Sequence, residues 1–277
     1  MPELPEVEIV RRQLHRAMTG ARIHHVETRR DTLRGPIPSD LDARLKGRTV
    51  RRVTRRAKYL LVELSSGDIL LMHLGMSGSF RVVSGRHADR PGQLHYDRND
   101  DDIHDHVVFE LSNGARVVFN DPRRFGSMAL ITAGDAGVLS RLGPEPLSSD
   151  FTADVLARAL RGRTAHIKVA LLDQRIAAGL GNIYASEALH AARLRPTRAA
   201  RSLVKPDGTP RPGLVALVVA IRQVLRKAVQ RQAAGAADGF RVYDREGQRC
   251  RRRGCAGIIR RIVQGGRSTF YCPECQR

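Results

Sequence analysis

The four cysteines constrain the fold more than any other feature of the chain. All of them lie in the last 28 of 277 residues, spaced Cys250-x4-Cys255-x16-Cys272-x2-Cys275. Two close pairs separated by a short hairpin are the arrangement that closes four thiolates around one tetrahedral ion. Between the pairs, Ile258–Gln264 and Arg267–Tyr271 read as β-strands joined by Gly265-Gly266, a dipeptide suited to a two-residue hairpin turn. A tail this short has too little apolar surface for a core of its own and needs such a staple to fold. The alternatives are four free thiols or two disulfides, although a disulfide scaffold would spread its cysteines through the chain. The expectation is a ribbon with one structural Zn²⁺ on Cys250, Cys255, Cys272 and Cys275.

Charge narrows the partner. Lys and Arg number 48 against 28 Asp and Glu, a formal net charge of +20. Such an excess points to a polyanion, nucleic acid before an anionic membrane. The tail from Phe240 carries ten Arg and three acids, and Arg44–Lys58 carries eight basic residues and no acid. The former favours phosphate contact over a merely solvated face; the latter is either a general electrostatic surface or part of a binding cleft. With no Trp and 4% aromatic residues, a stacking platform for single strands is poorly supplied. No stretch approaches the roughly 18 apolar residues of a membrane span. The longest apolar run, Gly213–Ile221, lies between Arg211 and Arg222 and reads as a helix core. The acidic, prolyl N-terminus is unlike a signal peptide, so a cytoplasmic protein is expected.

Periodicity divides the chain. Pro5 opens a helix in which Val7, Val10, Leu14 and Met18 share a face, and Gly20 stops it. Short runs follow: Thr49–Val53, Tyr59–Leu64, Ile69–Leu74, Ser79–Val83, His106–Leu111, Arg116–Phe119 and Ser127–Ile131. Strands at this spacing predict a β-sandwich beside the helix. Residues 133–150, rich in Gly and Pro, read as a linker between a first domain (1–132) and a helical one (151–239), with the ribbon at 240–277. The helical runs are Phe151–Leu160, Ile167–Arg175, Ile183–Ala192 and Leu214–Gln232; the Ala/Gly-rich 232–239 reads as mobile. The class is α+β. The Asp-rich 97–105, flanked by His95 and His106, reads as an acidic surface loop before a divalent-cation site.

The N-terminus carries chemistry. Removal of Met1 exposes Pro2 as a secondary amine, which can condense with a sugar aldehyde carbon to a cationic iminium, an electron sink for elimination. Glu3 and Glu6 put two carboxylates beside it. On these residues alone, a frayed lead-in with helix capping is the simpler reading.

The ordered motifs go further. Met1-Pro2-Glu3-Leu4-Pro5-Glu6-Val7-Glu8, Arg56-Ala57-Lys58-Tyr59-Leu60-Leu61, His73-Leu74-Gly75-Met76-Ser77-Gly78, His104-Asp105-His106-Val107, Asn120-Asp121-Pro122-Arg123-Arg124-Phe125-Gly126, Leu142-Gly143-Pro144-Glu145-Pro146-Leu147, Gly179-Leu180-Gly181-Asn182-Ile183-Tyr184-Ala185-Ser186-Glu187 and Arg267-Ser268-Thr269-Phe270-Tyr271-Cys272 span nearly the whole chain. In this order they closely resemble the bacterial formamidopyrimidine-DNA glycosylases. The resemblance implies a helix and β-sandwich domain, a helix–two-turn–helix domain and a zinc ribbon. It implies a monomer that excises oxidised purines from damaged duplex DNA and then cleaves the strand at the abasic site. Pro2 would be the Schiff-base nucleophile, Glu3 the acid at the deoxyribose, Lys58 the proton donor for β-elimination and Arg267 that for δ-elimination. His104, Arg123 and Arg163 fall on DNA-binding positions.

Physical reasoning adds candidates. A base flipped from a duplex leaves a gap that Met76 and Phe125 are sized to fill, with Arg123 on the orphaned base. Asn182, at a helix start, offers a phosphate site; His73, Lys168 and Tyr243 are further DNA-contact candidates, the last two equally readable as a solvated Lys and a packed Tyr. Two features depart from the family. The first cysteine pair is x4, where x2 is usual. The connection Gln230–Arg241 is about a dozen residues shorter than the usual loop over a flipped purine, which keeps an endonuclease VIII-type lesion preference open. A zinc-ribbon DNA-binding protein without catalysis is the remaining alternative.

Overall fold

A computed structural model describes residues 2–85, 87–92, 101–132, 134–135, 137–237 and 239–277. The chain forms two compact units, Met1–Ser140 and Arg141–Arg277. Met1, His95 and Asp97–Asp100 lie outside the described residues, and with them four of the nine residues of the acidic stretch.

In the first unit, α1 (Leu4–Met18) starts where Pro occupies its first turn, and a reciprocal capping box forms between Glu3 and Glu6. Its face of Val7, Val10, Leu14 and Met18 is buried. The strands are β1 (Ile23–Thr28), β2 (Val50–Arg56), β3 (Tyr59–Leu64), β4 (Ile69–His73), β5 (Ser79–Ser84), β6 (His87–Asp89), β7 (Asp105–Leu111), β8 (Ala115–Asn120) and β9 (Ser127–Ile131), with a short helix α2 (Leu41–Leu45) before β2. They form two antiparallel sheets, β1-β7-β8-β5-β6 and β2-β3-β4-β9. Phe80, Phe109 and Phe119 of one sheet and Leu60, Val62, Leu70 and Met72 of the other belong to one core with the α1 face. Each such side chain contributes roughly 1.5–3 kcal/mol by leaving water.

The topology gathers several loops at one end of this sandwich. Arg56 pairs with Tyr59, Tyr59 with His73 and His73 with Ser127, while in the other sheet Asn120 pairs with both Ser79 and Asp105. The β2–β3 turn, the β4–β5 loop and the β8–β9 loop therefore lie together, with the 3-10 turn Asp102–His104. Helix α1 runs antiparallel to β2. The Gly20 N–H donates to the Val50 carbonyl (2.9 Å), the Val53 N–H to His15 Nδ1 (3.3 Å), and Arg55 Nε to Glu8 (3.3 Å). This direction carries Pro2 and Glu3 toward the same end.

In the second unit, α3 (Ala153–Leu160) is capped by the Thr152 hydroxyl, which accepts from Val155 N–H. Then come α4 (Ile167–Leu171), α5 (Asn182–Ala191), α6 (Pro212–Ala233) and the hairpin β10 (Arg260–Gln264) and β11 (Arg267–Tyr271). Two expectations are corrected. Helix α4 stops at Leu171, because Asp173 turns the chain by accepting from the Arg175 N–H. Gln232 is buried in the last turn of α6 and is not part of a loose connection. No helix among the described residues is long and apolar enough to cross a membrane.

Candidate active site and metal centre

The sandwich end brings together Lys58, His73, Met76, His104, Arg123 and Phe125, with Pro2 and Glu3 at the neighbouring start of α1. Pro2 and Glu3 are buried, and the Glu3 N–H donates to Glu6 Oε2 at 2.7 Å. The capping box thus fixes the backbone that follows Pro2. Lys58 is buried to 6% exposure at the β2–β3 turn, where Ala57 takes φ +53° and the Arg55 guanidinium donates to the Ala57 carbonyl. That turn presents the ammonium without the freedom of a surface lysine.

His73 accepts from the Gly75 N–H at Nδ1 (2.9 Å), which leaves its ring proton on Nε2. Burial pushes its pKa down to about 4, aided by the Lys58 and Arg34 charges. At neutral pH it is an uncharged N–H donor beside Tyr59, whose ring centroid lies 4.9 Å away. Met76 and Phe125 are 41% and 40% exposed, one on each of two loops that meet. The Arg123 guanidinium carbon sits 4.7 Å from the Phe125 ring centroid. An apolar pair projecting beside a cation has the composition of a wedge for a base stack. His104 is half-buried, and its carbonyl accepts from the Asp121 N–H.

In the second unit, Gly265 and Gly266 both adopt positive φ (+55° and +72°), the conformation of a type I′ turn that glycine accepts without strain. Arg267 follows the turn and is exposed. Lys168 requires a correction. It is fully buried, and its ammonium donates to Asn182 Oδ1 (2.6 Å), the Ser268 carbonyl (3.0 Å) and Thr269 Oγ1 (2.6 Å). These acceptors use its three protons, so it is a strut between α5 and the hairpin and not a phosphate contact. Asn182 joins the same strut by donating from Nδ2 to the Ser268 carbonyl. Arg163 is also engaged, 3.6 Å from Asp173 and donating to the Ala159 carbonyl. Tyr243 packs edge-on against Phe240 and Phe270, the packed reading of that residue.

The metal centre is clear. The four cysteine sulfurs lie within 4.8 Å of one another, the one such cluster of His, Cys, Asp and Glu among the described residues. Cys250 and Cys275 are 3.9 Å apart and Cys255 and Cys272 3.6 Å. A tetrahedron with Zn–S bonds of about 2.3 Å has edges of about 3.8 Å, whereas a disulfide requires about 2.05 Å. The disulfide alternative is thereby excluded. Gly257 is required at its place, since a Cβ there would lie 2.6 Å from Cys272 Sγ. Burial and the neighbouring thiols push Cys275 up to about 12, within a cluster of four sulfurs gathered at one point. They fit one structural Zn²⁺, four thiolates leaving no open position.

Comparison with known proteins decides the family. The formamidopyrimidine-DNA glycosylase N-terminal domain matches residues 1–128, its H2TH domain 142–238, and the zinc finger found in FPG and IleRS 247–277. The chain belongs to the formamidopyrimidine-DNA glycosylases. Family members from Rhodopseudomonas palustris (strain BisB18) and Bradyrhizobium sp. (strain ORS 278) are 55% and 53% identical, with both chains covered in full. Among solved structures, the glycosylase of Lactococcus lactis bound non-covalently to DNA containing an AP site is 32% identical, with a TM-score of 0.82 over the whole of both chains. The same protein bound to DNA containing N7-benzyl-Fapy-dG gives 31% and 0.83, again over both chains in full.

Sequence reasoning missed three residues that organise this glycosylase. Asp105 receives the Arg81 guanidinium (2.7 Å) and the Asn120 amide (2.9 Å), which gives it a structural partner set and not a divalent cation. Asp121 ties two loops together. Glu187 accepts from the N–H groups of Arg241, Val242 and Tyr243. The signal for all three was their place inside the family motifs, which says nothing about their partners.

Proposed function

We propose that the chain is a bifunctional DNA glycosylase and abasic-site lyase of base excision repair, which removes oxidised purines such as formamidopyrimidines and 8-oxoguanine from duplex DNA. Full-length identity above one half to curated family members carries this reading. The convergence of Pro2, Glu3 and Lys58 on one end of the sandwich supports it. The protein acts as a monomer in the bacterial cytoplasm.

With Met1 removed, the Pro2 nitrogen attacks the anomeric carbon, Glu3 delivers a proton to the ring oxygen, and the damaged base leaves with the bonding pair. The resulting iminium acidifies the neighbouring sugar protons. Loss of a C2′ proton expels the 3′ phosphate with Lys58 as proton donor, and a second elimination expels the 5′ phosphate with Arg267 as donor. Met76 and Phe125 fill the vacated stack, and Arg123 holds the unpaired base. His73, His104, Asn182 and Arg163 flank the backbone. Zinc has no part in the bond-breaking; it fixes the ribbon that presents Arg267.

Borohydride reduction during reaction with abasic DNA tests the nucleophile. The processed protein forms a covalent adduct through Pro2, and protein that retains Met1 forms none. An adduct of equal yield with Met1 in place would move the nucleophile to a lysine. Duplexes with formamidopyrimidine, 8-oxoguanine or thymine glycol rank the lesions; preference for thymine glycol would overturn the oxidised-purine assignment.

A further inference from the structure

The β4–β5 loop carrying Met76 and the β8–β9 loop carrying Arg123 and Phe125 are separate in sequence. Neither holds its shape by regular structure. Arg124 sits at φ +54°, a strained conformation for a side chain of its size. Yet a wedge must resist the stacked bases that it parts, so something must lock both loops.

Asp121 meets that requirement. It is fully buried. The Ser77 hydroxyl donates to Oδ1 and the Gly126 N–H to Oδ2 (2.7 Å), so one carboxylate takes one donor from each loop. Ser77 Oγ also accepts from the Arg123 N–H at 3.2 Å, which closes the link next to the cation itself. The main chain of Asp121 is fixed as well. Its N–H donates to the His104 carbonyl (3.0 Å), and its carbonyl accepts from His106 Nε2 (2.9 Å). The loops then meet backbone to backbone. A Cβ on Gly75 would lie 2.2 Å from the Phe125 carbonyl carbon, and one on Gly126 would lie 2.7 Å from Phe119 Cζ.

We propose that Asp121 is a positioning residue for duplex opening: its carboxylate locks the Met76 loop and the Arg123–Phe125 loop into one rigid wedge. The residue type follows from donor and acceptor counting. Both incoming groups are donors, and a carboxylate offers an oxygen acceptor to each. Asparagine keeps the Gly126 N–H on Oδ1 and only reverses the Ser77 bond, its Nδ2 donating to Oγ, so alanine is the substitution that breaks both halves of the lock. Asp121 acts through Met76, Arg123 and Phe125. The inference rests on the proposed glycosylase reading.

The test separates opening of the duplex from sugar chemistry. A single-stranded abasic oligonucleotide has no partner base to part from, so its capture needs Pro2 and Lys58 but no wedge. Asp121→Ala lowers single-turnover excision from a lesion-containing duplex about 10- to 100-fold, the scale of a misplacement near 1 Å. It also reduces the fluorescence rise of a 2-aminopurine placed opposite the lesion. Borohydride trapping on the single-stranded substrate stays within about twofold of wild type. Ser77→Ala removes one hydroxyl and gives the same pattern more weakly, which keeps the test alive if Asp121→Ala folds poorly. Wild-type duplex excision in both variants, or parallel loss on both substrates with an unchanged melting temperature, overturns the proposal. If the wild-type protein itself forms no adduct on either substrate, the proline-nucleophile reading fails and not the role of Asp121.

Discussion

Glu187 offers a sharp test of how the ribbon is tied to the helical unit. Its carboxylate, 6% exposed on α5, accepts at Oε1 from the N–H groups of Val242 (2.8 Å) and Tyr243 (2.9 Å), and from Arg241 at both oxygens (3.0 and 2.8 Å). Glu187→Ala leaves these donors without partners. Val242 is fully buried and Tyr243 half-buried, while Arg241 is exposed and water replaces its acceptor. Two unpaired N–H groups at about 1–3 kcal/mol each, with the void left by the side chain, give a loss of about 3–5 kcal/mol.

Glu187→Gln behaves differently. Burial raises the Glu187 pKa above its ordinary value of 4.5, and the Tyr243, Val242 and Arg241 N–H groups lower it again only in part. A raised carboxylate pKa means that the group favours folding most when protonated, and that this contribution fades as pH climbs from 4.5 through the folded value. Glutamine resembles the protonated form and keeps one acceptor, so at pH 7 it falls within about 1 kcal/mol of wild type. Thermal melts read the difference, with a drop of about 10 °C for Ala and little for Gln. Hydrogen exchange at residues 241–243 locates it. A glutamine variant as unstable as the alanine one, or unchanged protection at Val242 in Glu187→Ala, would refute the reasoning.

Two further outcomes follow from the same structure. Metal chelation or Cys272→Ala unfolds the ribbon and removes strand cleavage, while hydrogen-exchange protection of the β-sandwich persists; zinc below one equivalent in active protein contradicts this. Between pH 6.5 and 4 the unfolded chain protonates His73 before the folded one does, because the folded pKa is about 4. Wild type therefore loses up to about 3 kcal/mol more than His73→Gln over that window, and identical pH–stability curves would remove the buried, neutral histidine.

Much of this architecture was legible in the sequence. The ribbon followed from cysteine spacing and the Gly265-Gly266 turn, and seven of the strands from runs between turn signals. Strand β1 was not legible, because a bulge between Ile23 and His25 breaks the two-residue alternation and leaves the pattern of buried positions irregular. Helix α2 has five residues, too few for a 3.6-residue period to register. Lys168 illustrates the limit of residue type as a guide. Its acceptors Ser268 and Thr269 lie a hundred residues away, so a lysine expected at the surface is fully buried. Asp121 and Ser77, 44 residues apart, meet only because β4–β5 and β8–β9 cross at the same end of the sandwich.

The buried charges explain how so basic a chain achieves specific geometry. A charge taken out of water costs several kcal/mol unless its hydrogen bonds are restored, so it survives where its partners are fixed. Asp121 fastens the wedge loops, Glu3 and Glu6 the start of α1, Lys168 the hairpin to α5, and Glu187 the chain entering the ribbon. Each stands beside a segment that carries a residue of the proposed site. The exposed arginines attract any phosphate backbone and lose that attraction in salt. The buried groups are shielded from salt and set the positions of the side chains they support. Rising ionic strength therefore weakens encounter with DNA and leaves the geometry around the proposed wedge and nucleophile intact.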